Sequence, residues 1–332
     1  MNEDYDCPCK KADPEHFLSN EQVQELLDSK DSFVFTKQDY LRVYNCIHCN
    51  NCGTSEERIA LKHKYLQDGN HIEGLEETIK IIRKYGSPFS QNKSRMKKFK
   101  DIKTQSDTLL YLGCFTTVKT PHYGEDVVAY LLNAGIEFTI LKEEICCGYP
   151  ILCNGSIEEY DSLVQKNRKI FEEKGYRCII TACPSCYMVF KKEYADINIE
   201  IRYFTEFLKP SQGKKSGNII IQHACPLRNG EIPNIADELE VLYEKSGYNV
   251  LKNIPRACSG GGVGHQLRTD IIETIALKRM DDFSNSIPSD NRNIQNNYII
   301  TYCPDAYWII KVFGRRKKIS FQLKTMCEML ME

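Results

Sequence analysis

The sequence predicts an α/β protein in which two tandem copies of one α/β unit follow a small helical head, and three observations predict it. From Thr108 onward, short apolar runs alternate with helical stretches, as in a parallel sheet whose strands are joined by crossover helices. Part of that stretch then recurs. Ile179-Ile180-Thr181-Ala182-Cys183-Pro184 returns as Ile299-Ile300-Thr301-Tyr302-Cys303-Pro304, and Cys114 and Cys147 find counterparts in Cys225 and Cys258. Ahead of the repeat, residues 1–86 carry two small cysteine groups and helical stretches of their own.

Taken in order, the head (residues 1–86) is expected to contain helices over Glu21–Asp28 and Glu73–Lys84. Residues 87–107 hold Pro88, Ser87, Ser90, Ser94 and lysines at 93, 97, 98, 100 and 103 without apolar periodicity, which reads as a solvated linker. The first unit (108–212) is expected to run as strand 108–113, helix 125–134, strand 136–141, helix 157–174, strand 177–181 and helix 187–194. Its cysteines fall at strand ends or in the loops that follow, where open α/β sheets present their ligands. The second unit (213–332) is a depleted copy. Cys146 is matched to Ala257, Gly148 to Ser259 and Cys186 to Ala306, so three of five thiolates persist.

Composition narrows the function classes. Lys plus Arg number 44 and Asp plus Glu 45, a formal net charge of −1, so no electrostatic pull toward nucleic acid is expected. No apolar run approaches the roughly 20 residues of a membrane span, and the start Met-Asn-Glu-Asp-Tyr-Asp lacks the basic and apolar parts of an export signal. The expected location is cytoplasmic, or peripheral to a membrane complex. In a reducing compartment the 16 cysteines should be free thiols or metal ligands rather than disulfides.

Two cysteine sets stand out. Cys114, the pair Cys146-Cys147, and Cys183-Pro184-Ser185-Cys186 place five thiolates at ordered spacings, a pattern suited to an iron–sulfur cluster. Four cysteines ordinarily hold a four-iron cluster, so a fifth can bridge irons or leave one accessible to an exogenous sulfur. In the head, Cys46-Ile47-His48-Cys49-Asn50-Asn51-Cys52 gives C-x2-C-x2-C, three ligands of a ferredoxin-type cluster. Position 56, where a fourth would follow, is Glu56, so Cys9 or Cys7 of Cys7-Pro8-Cys9 is the candidate to complete it. A three-iron cluster, a ligand from water or a partner, and zinc stay open as alternatives. His48 is expected to face solvent rather than a cluster sulfur.

Cys225, Cys258 and Cys303, with His223, His265 or Asp305 nearby in the motif, either hold zinc or a simpler cluster or are relics packed in a core. Gly260 to Gly264 lacks the Walker Lys-Ser/Thr and a G-x-G-x-x-G placement, so a nucleotide site is rejected. Cys153, Cys178 and Cys327 have no motif partners and are read as ordinary buried thiols.

The pattern C-x31-CCG-x34-CxxC resembles the cysteine-rich CCG domain of the heterodisulfide reductase B/D family and of iron–sulfur subunits of glycerol-3-phosphate, glycolate and lactate dehydrogenases. Tyr111-Leu112-Gly113-Cys114, Glu144-Ile145-Cys146-Cys147-Gly148, Gly155, Asn167 and Ala182-Cys183-Pro184-Ser185-Cys186-Tyr187 fit it in the first unit. Tyr203 to Leu208 fits that unit's end, and His223-Ala224-Cys225-Pro226-Leu227-Arg228 with Gly260-Gly261-Gly262 fits the second. The likeness covers about residues 86–330 and makes the fold class two CCG-type units in pseudo-repeat behind a ferredoxin-like iron–sulfur head.

The resemblance implies a four-iron cluster on Cys114, Cys146, Cys147, Cys183 and Cys186, noncubane as in the heterodisulfide reductases, which acts on a thiol or disulfide. Electrons would reach it from the cluster on Cys46, Cys49 and Cys52. In the family, disulfide cleavage uses two facing CCG clusters, and the second is depleted here. The alternative is an electron-transfer module without its own substrate. No flavin or nicotinamide fingerprint is present, so either reading needs a redox partner, a flavoprotein or a ferredoxin. An organic acid is the other substrate class implied, and a zinc-stabilised scaffold is the third reading.

Overall fold

The computed structural model describes residues 7–30, 36–72, 74–89, 102, 105–213, 215–225, 227, 232, 234–261, 267–286 and 296–331. His265, Pro226, Arg228 and most of the expected linker lie outside them.

The apolar runs become parallel strands. β1 (Thr108–Tyr111), β2 (Cys178–Thr181) and β3 (Glu200–Tyr203) form one sheet in the order β1-β2-β3, with Leu109 level with Ile179 and Ile179 level with Ile201. β4 (Asn218–Gln222), β5 (Asn249–Val250), β6 (Asn297–Thr301) and β7 (Gln322–Leu323) form a second in the order β5-β4-β6-β7. Strands covered on both faces can be apolar at every position, which is why Leu109-Leu110, Ile179-Ile180 and Ile219-Ile220-Ile221 run without alternation. Burying each such side chain contributes about 1.5–3 kcal/mol.

The strand expected over 136–141 is reduced to a single bridge, Leu109 to Thr139, held by Leu110 N–H to Thr139 O at 2.8 Å and Thr139 N–H to Thr108 O at 2.9 Å. It occupies the edge that β5 takes in the other sheet, so the two sheets share one topology. Lys142 and Glu143 beside it are exposed, and nothing pairs its outer side among the described residues.

Helices fill the crossovers. In the helix Ile157–Glu173, the buried residues Tyr160, Leu163, Val164, Asn167 and Phe171 make one stripe at helical spacing against the sheet. Pro184 and Pro304 occupy the first turn of their helices, where a missing N–H costs nothing, and Cys183 and Cys303 are the N-caps with nearly equal backbone angles. The C-terminal helix Met326–Met331 ties the two units together. Tyr243 Oη donates to Met326 O at 2.8 Å, and Thr325 Oγ1 donates to the Asp126 carboxylate of the first unit at 2.8 Å.

The head is helical, with Pro8–Ala12, Asn20–Asp28, Lys37–Val43, Ser55–Gln67 and Leu75–Tyr85. Ser19/Gln22 and Thr36/Asp39 form reciprocal capping boxes at two of these starts. The head rests across both units. Tyr44 Oη donates to Asn154 O (3.2 Å) and Lys62 Nζ to Cys153 O (2.9 Å) on one side, while Tyr40 Oη donates to Leu267 O (2.8 Å) and Arg268 binds Leu41 O and Asp13 on the other. Where the solvated linker was expected, Ser87 and Pro88 are buried, and Phe89 packs edge-on to Phe115.

Among the described residues, no helix is long and apolar enough to cross a membrane.

Candidate metal centres

All 16 cysteines are free thiols. The first unit gathers five of them at the carboxyl ends of β1 and β2. Gly113, at φ +87, turns the chain out of β1 so that Cys114 opens the short helix after it. A Cβ there would lie 3.2 Å from Cys186 Sγ, so glycine suits both the positive φ and the close sulfur. Cys183 lies two residues beyond β2 as the N-cap of the next helix, and Cys186 follows in that helix's first turn.

Cys146-Cys147 sits on a loop bound from several sides. Cys146 N–H donates to Gly86 O (2.6 Å), Asn167 Nδ2 to Cys146 O (3.0 Å), and Tyr111 Oη to Ile145 O. The Glu144 carboxylate accepts from Leu112 N–H (2.8 Å) and Gly113 N–H (2.7 Å), which joins the turn before Cys114 to the loop before Cys146. Burial raises this carboxyl to about 7 against the lowering effect of those two N–H groups.

The five sulfurs gather at one place. Cys114 Sγ lies 3.6 Å from Cys146 Sγ, Cys147 interacts with both Cys146 and Cys186, Cys186 interacts with Cys183, and Cys114, Cys147, Cys183 and Cys186 line one cleft. The hydrogen bonds from Cys114 and Cys147 hold the Cys146 thiol well below its ordinary range, and the same bonds push both donors up. Gly148 N–H also points at Cys146 Sγ, 3.5 Å away. A concentrated, thiol-rich, backbone-donating site of this kind fits an iron–sulfur cluster, since thiolates are the ligands and N–H groups the partners of its sulfurs.

The second unit repeats this construction one residue out of step with the match expected from spacing. Gly260 N–H points at Cys258 Sγ at 3.3 Å, as Gly148 does at Cys146, and both glycines have positive φ, +87 and +93. Gln222 Nε2 donates to Ala257 O where Tyr111 donates to Ile145 O. Cys258 therefore stands in the place of Cys146, Ser259 in that of Cys147 and Gly260 in that of Gly148, which corrects the match of Cys258 to Cys147. Adjacent cysteines hid a one-residue insertion between β4 and this loop. Arg279, almost wholly buried, takes the place of Asn167 and holds Gln222 Oε1 and Pro255 O, both at 2.7 Å.

Cys225, Cys258 and Cys303 all line one cleft with His223, Ser259 and Asp305. His223 is tied by Nε2 to Glu240 at 3.3 Å and lies 3.4 Å from Tyr302 Oη. Burial lifts the Asp305 carboxyl to about 7.

In the head, the three motif cysteines have different partners. Cys46 hydrogen-bonds Cys9, which in turn contacts Cys7, whereas Cys49 hydrogen-bonds Cys258 of the second unit. Cys52 is half-buried, with its sulfur 3.2 Å from Thr54 Oγ1. The hydrogen bond from Cys9 and the nearby Lys62 and Arg58 cations bring the Cys46 thiol down to about 6.

His48 is buried at 2 % exposure, against the expectation that it faces solvent. Its Nε2 meets Lys62 Nζ at 2.6 Å and its Nδ1 meets Ser55 Oγ at 2.9 Å. Burial and the Lys62 charge push the imidazole well below its ordinary range, so the neutral ring accepts from the ammonium. Cys153 and Cys327 are buried as expected, and Cys178 is half-buried.

Lys62 and Arg58 act on these centres without having been singled out in the sequence, where Glu144 stood out only as part of its motif. Lys62 is fully buried, and its partners lie 14 and 91 residues away, so no local pattern marks it. We expect Lys62→Met to leave Cys153 O and His48 Nε2 without a donor. At about 1–3 kcal/mol per orphaned buried acceptor, the unfolding midpoint in denaturant should fall measurably, while an exposed Lys169→Met control should not move it.

Comparison with known proteins agrees with this geometry. The cysteine-rich (CCG) domain model matches residues 108–191 and again 219–311, just over half of the chain. An iron–sulfur protein of Methanocaldococcus jannaschii is 24% identical across 97% of this chain and 70% of its own length. A fumarate reductase (CoM/CoB) subunit of Methanothermobacter marburgensis is 25% identical over 60% of this chain, and EtfAB:quinone oxidoreductase of Syntrophomonas wolfei 30% identical over 59%. This chain spans only 41% of the former and 30% of the latter. With two domain matches and one strand topology underlying both, the chain belongs to the cysteine-rich CCG domain family.

Proposed function

We propose that this chain is the iron–sulfur subunit of an oxidoreductase, similar in kind to the heterodisulfide reductases, in which Cys114, Cys146, Cys147, Cys183 and Cys186 hold a four-iron cluster facing a thiol or disulfide. The observation that carries this reading is the gathering of five sulfurs at the strand ends of one unit, four of which line a single cleft. Once bound, such a cluster supplies one-electron transfer and, with a fifth thiolate, an iron open to an exogenous sulfur.

The chain's own residues prepare that place. Pro88, Phe89, Phe115 and Pro150 wall the cleft with apolar surface and limit water at the sulfurs. Glu144, Asn167 and Tyr111 hold the Cys146-Cys147 loop to the end of β1, so the thiolates are positioned before any metal arrives. A second centre belongs where the head cysteines meet the second unit, and the redox partner is a flavoprotein or a ferredoxin. The relatives' names, a fumarate reductase subunit and a quinone oxidoreductase among them, support an oxidoreductase role.

One observation favours a relay without its own substrate. Ser259 and Ala306 replace two of the second unit's five thiolates, and a disulfide-cleaving site of the resembled kind needs two facing five-cysteine clusters.

The test begins with iron and acid-labile sulfide on protein purified without oxygen, where about seven to eight irons per chain are expected. A small thiol should then perturb the electron paramagnetic resonance of one cluster. A cluster that a flavoprotein reduces but no thiol or disulfide perturbs would establish the relay instead, and zinc without sulfide would end both redox readings.

A further inference from the structure

We infer that the depleted second unit is completed by the head, and that Cys49, Cys225, Cys258 and Cys303 together form a four-thiolate site that takes a four-iron cluster. The cluster identity rests on the iron–sulfur reading above; the shared site does not.

Three observations lead there. First, the second unit keeps the construction of the first but not its thiolates, since Ser259 and Ala306 stand where Cys147 and Cys186 would be. Three cysteines are one short of the four that a cubane cluster or a tetrahedral zinc needs. Second, a fourth sulfur is present at the same place, and it comes from the head. Cys49 hydrogen-bonds Cys258, and Cys258 hydrogen-bonds Cys225. Third, Cys49, Cys225, Cys258 and Cys303 line one cleft that no other described cysteine lines.

The head is shaped to deliver this sulfur. His48 and Asn50, the residues flanking Cys49, both adopt positive φ, +54 and +56, an unusual conformation for side-chain-bearing residues. The His48 side chain is fixed by Lys62 and Ser55, and Arg268 and Tyr40 hold the head against the second unit. Gly261 lets the Cys258 loop approach the helix start after Cys303, where a Cβ would lie 3.1 Å from the Asp305 carbonyl carbon.

The same geometry separates Cys49 from its sequence neighbour Cys52, whose sulfur faces Thr54. Cys46 interacts with Cys9 and does not line the cleft that Cys49 shares with the second unit. The C-x2-C-x2-C run is thus divided, one sulfur going to the second unit.

Iron and zinc per chain, together with cluster resonance, should be measured on the full chain and on Cys49→Ser, Cys225→Ser, their double variant and Cys52→Ser. Cys49→Ser and Cys225→Ser should each lose the same signal and about four irons, and the double variant should lose no more than either alone. Cys52→Ser should keep that signal. Differential alkylation read by mass spectrometry gives a second readout. In Cys49→Ser, Cys225, Cys258 and Cys303 should become reactive while the first-unit cysteines stay protected, which also shows that the fold persists.

Full metal retention in Cys225→Ser would overturn the shared site. So would Cys52→Ser abolishing the same signal as Cys49→Ser, because the head would then hold its own cluster. Zinc lost in the same linked pattern would remove the iron–sulfur reading yet leave the shared site standing.

Discussion

Replacing Cys147 by Ser should strip the first unit of its metal and leave the chain folded. Cys147 interacts with both Cys146 and Cys186 and lines the cleft with Cys114, Cys183 and Cys186, so its loss divides the set. A serine hydroxyl keeps the shape but is a poor ligand for iron at neutral pH. The buried hydroxyl costs at most about 1–3 kcal/mol if it finds no partner, well within the stability of a domain. Iron and sulfide per chain should therefore fall by about four each, with a second cluster signal persisting unaltered. Cys178→Ser is the control: this thiol lies on β2, half-buried, with Glu200, Arg202, Glu206 and Asp107 rather than sulfurs as its charged neighbours. It should change neither iron nor spectrum. If both signals survive Cys147→Ser, the five-sulfur assignment fails.

How much of this was legible in the sequence depends on how local the cause was. The parallel sheets were, because doubly covered strands such as Ile219-Ile220-Ile221 must be apolar at every position. So was the proximity of the five first-unit cysteines, because strand ends in one sheet share an edge and each cysteine follows a strand or its loop. The register of the repeat was not. With two adjacent cysteines in one copy and one in the other, spacing alone permits two matches, and the Gly260 N–H to Cys258 Sγ and Gln222 to Ala257 O contacts select between them.

His48 was misread for a related reason. A histidine in a polar loop looks solvated until Lys62, from the middle of the following helix, is seen to cover it. The division of the head motif is longer in range still, since Cys258 lies some two hundred residues from Cys49 in the chain and meets it only through docking of the head.

That docking makes Gly155→Ala a strongly damaging single-methyl change. Gly155 has φ +91, which costs a residue bearing a Cβ about 1–2 kcal/mol on its own. The added Cβ would also lie 2.7 Å from His63 N and 2.7 Å from Lys62 C, both backbone atoms in the helix Ser55–Gln67, which cannot swing aside as a side chain can. Overpacking of this kind adds about 1–3 kcal/mol, so the sum is about 2–5 kcal/mol.

Gly175→Ala separates the two effects. Its φ is +68, but nothing lies within 4 Å of its Cβ, so it should show the conformational cost alone. The difference between the two variants in denaturant unfolding then measures the strength of the contact between head and first unit. Relief of the clash requires the helix to lift, which would take Lys62 away from Cys153 O and His63 away from Gly155 O. Cys49 would move with it. Gly155→Ala should thus weaken the Cys49-dependent cluster while sparing the one on Cys147, although the substituted residue touches neither set of sulfurs. Equal destabilisation by Gly155→Ala and Gly175→Ala, with both clusters retained, would mean that the head is not held by this contact.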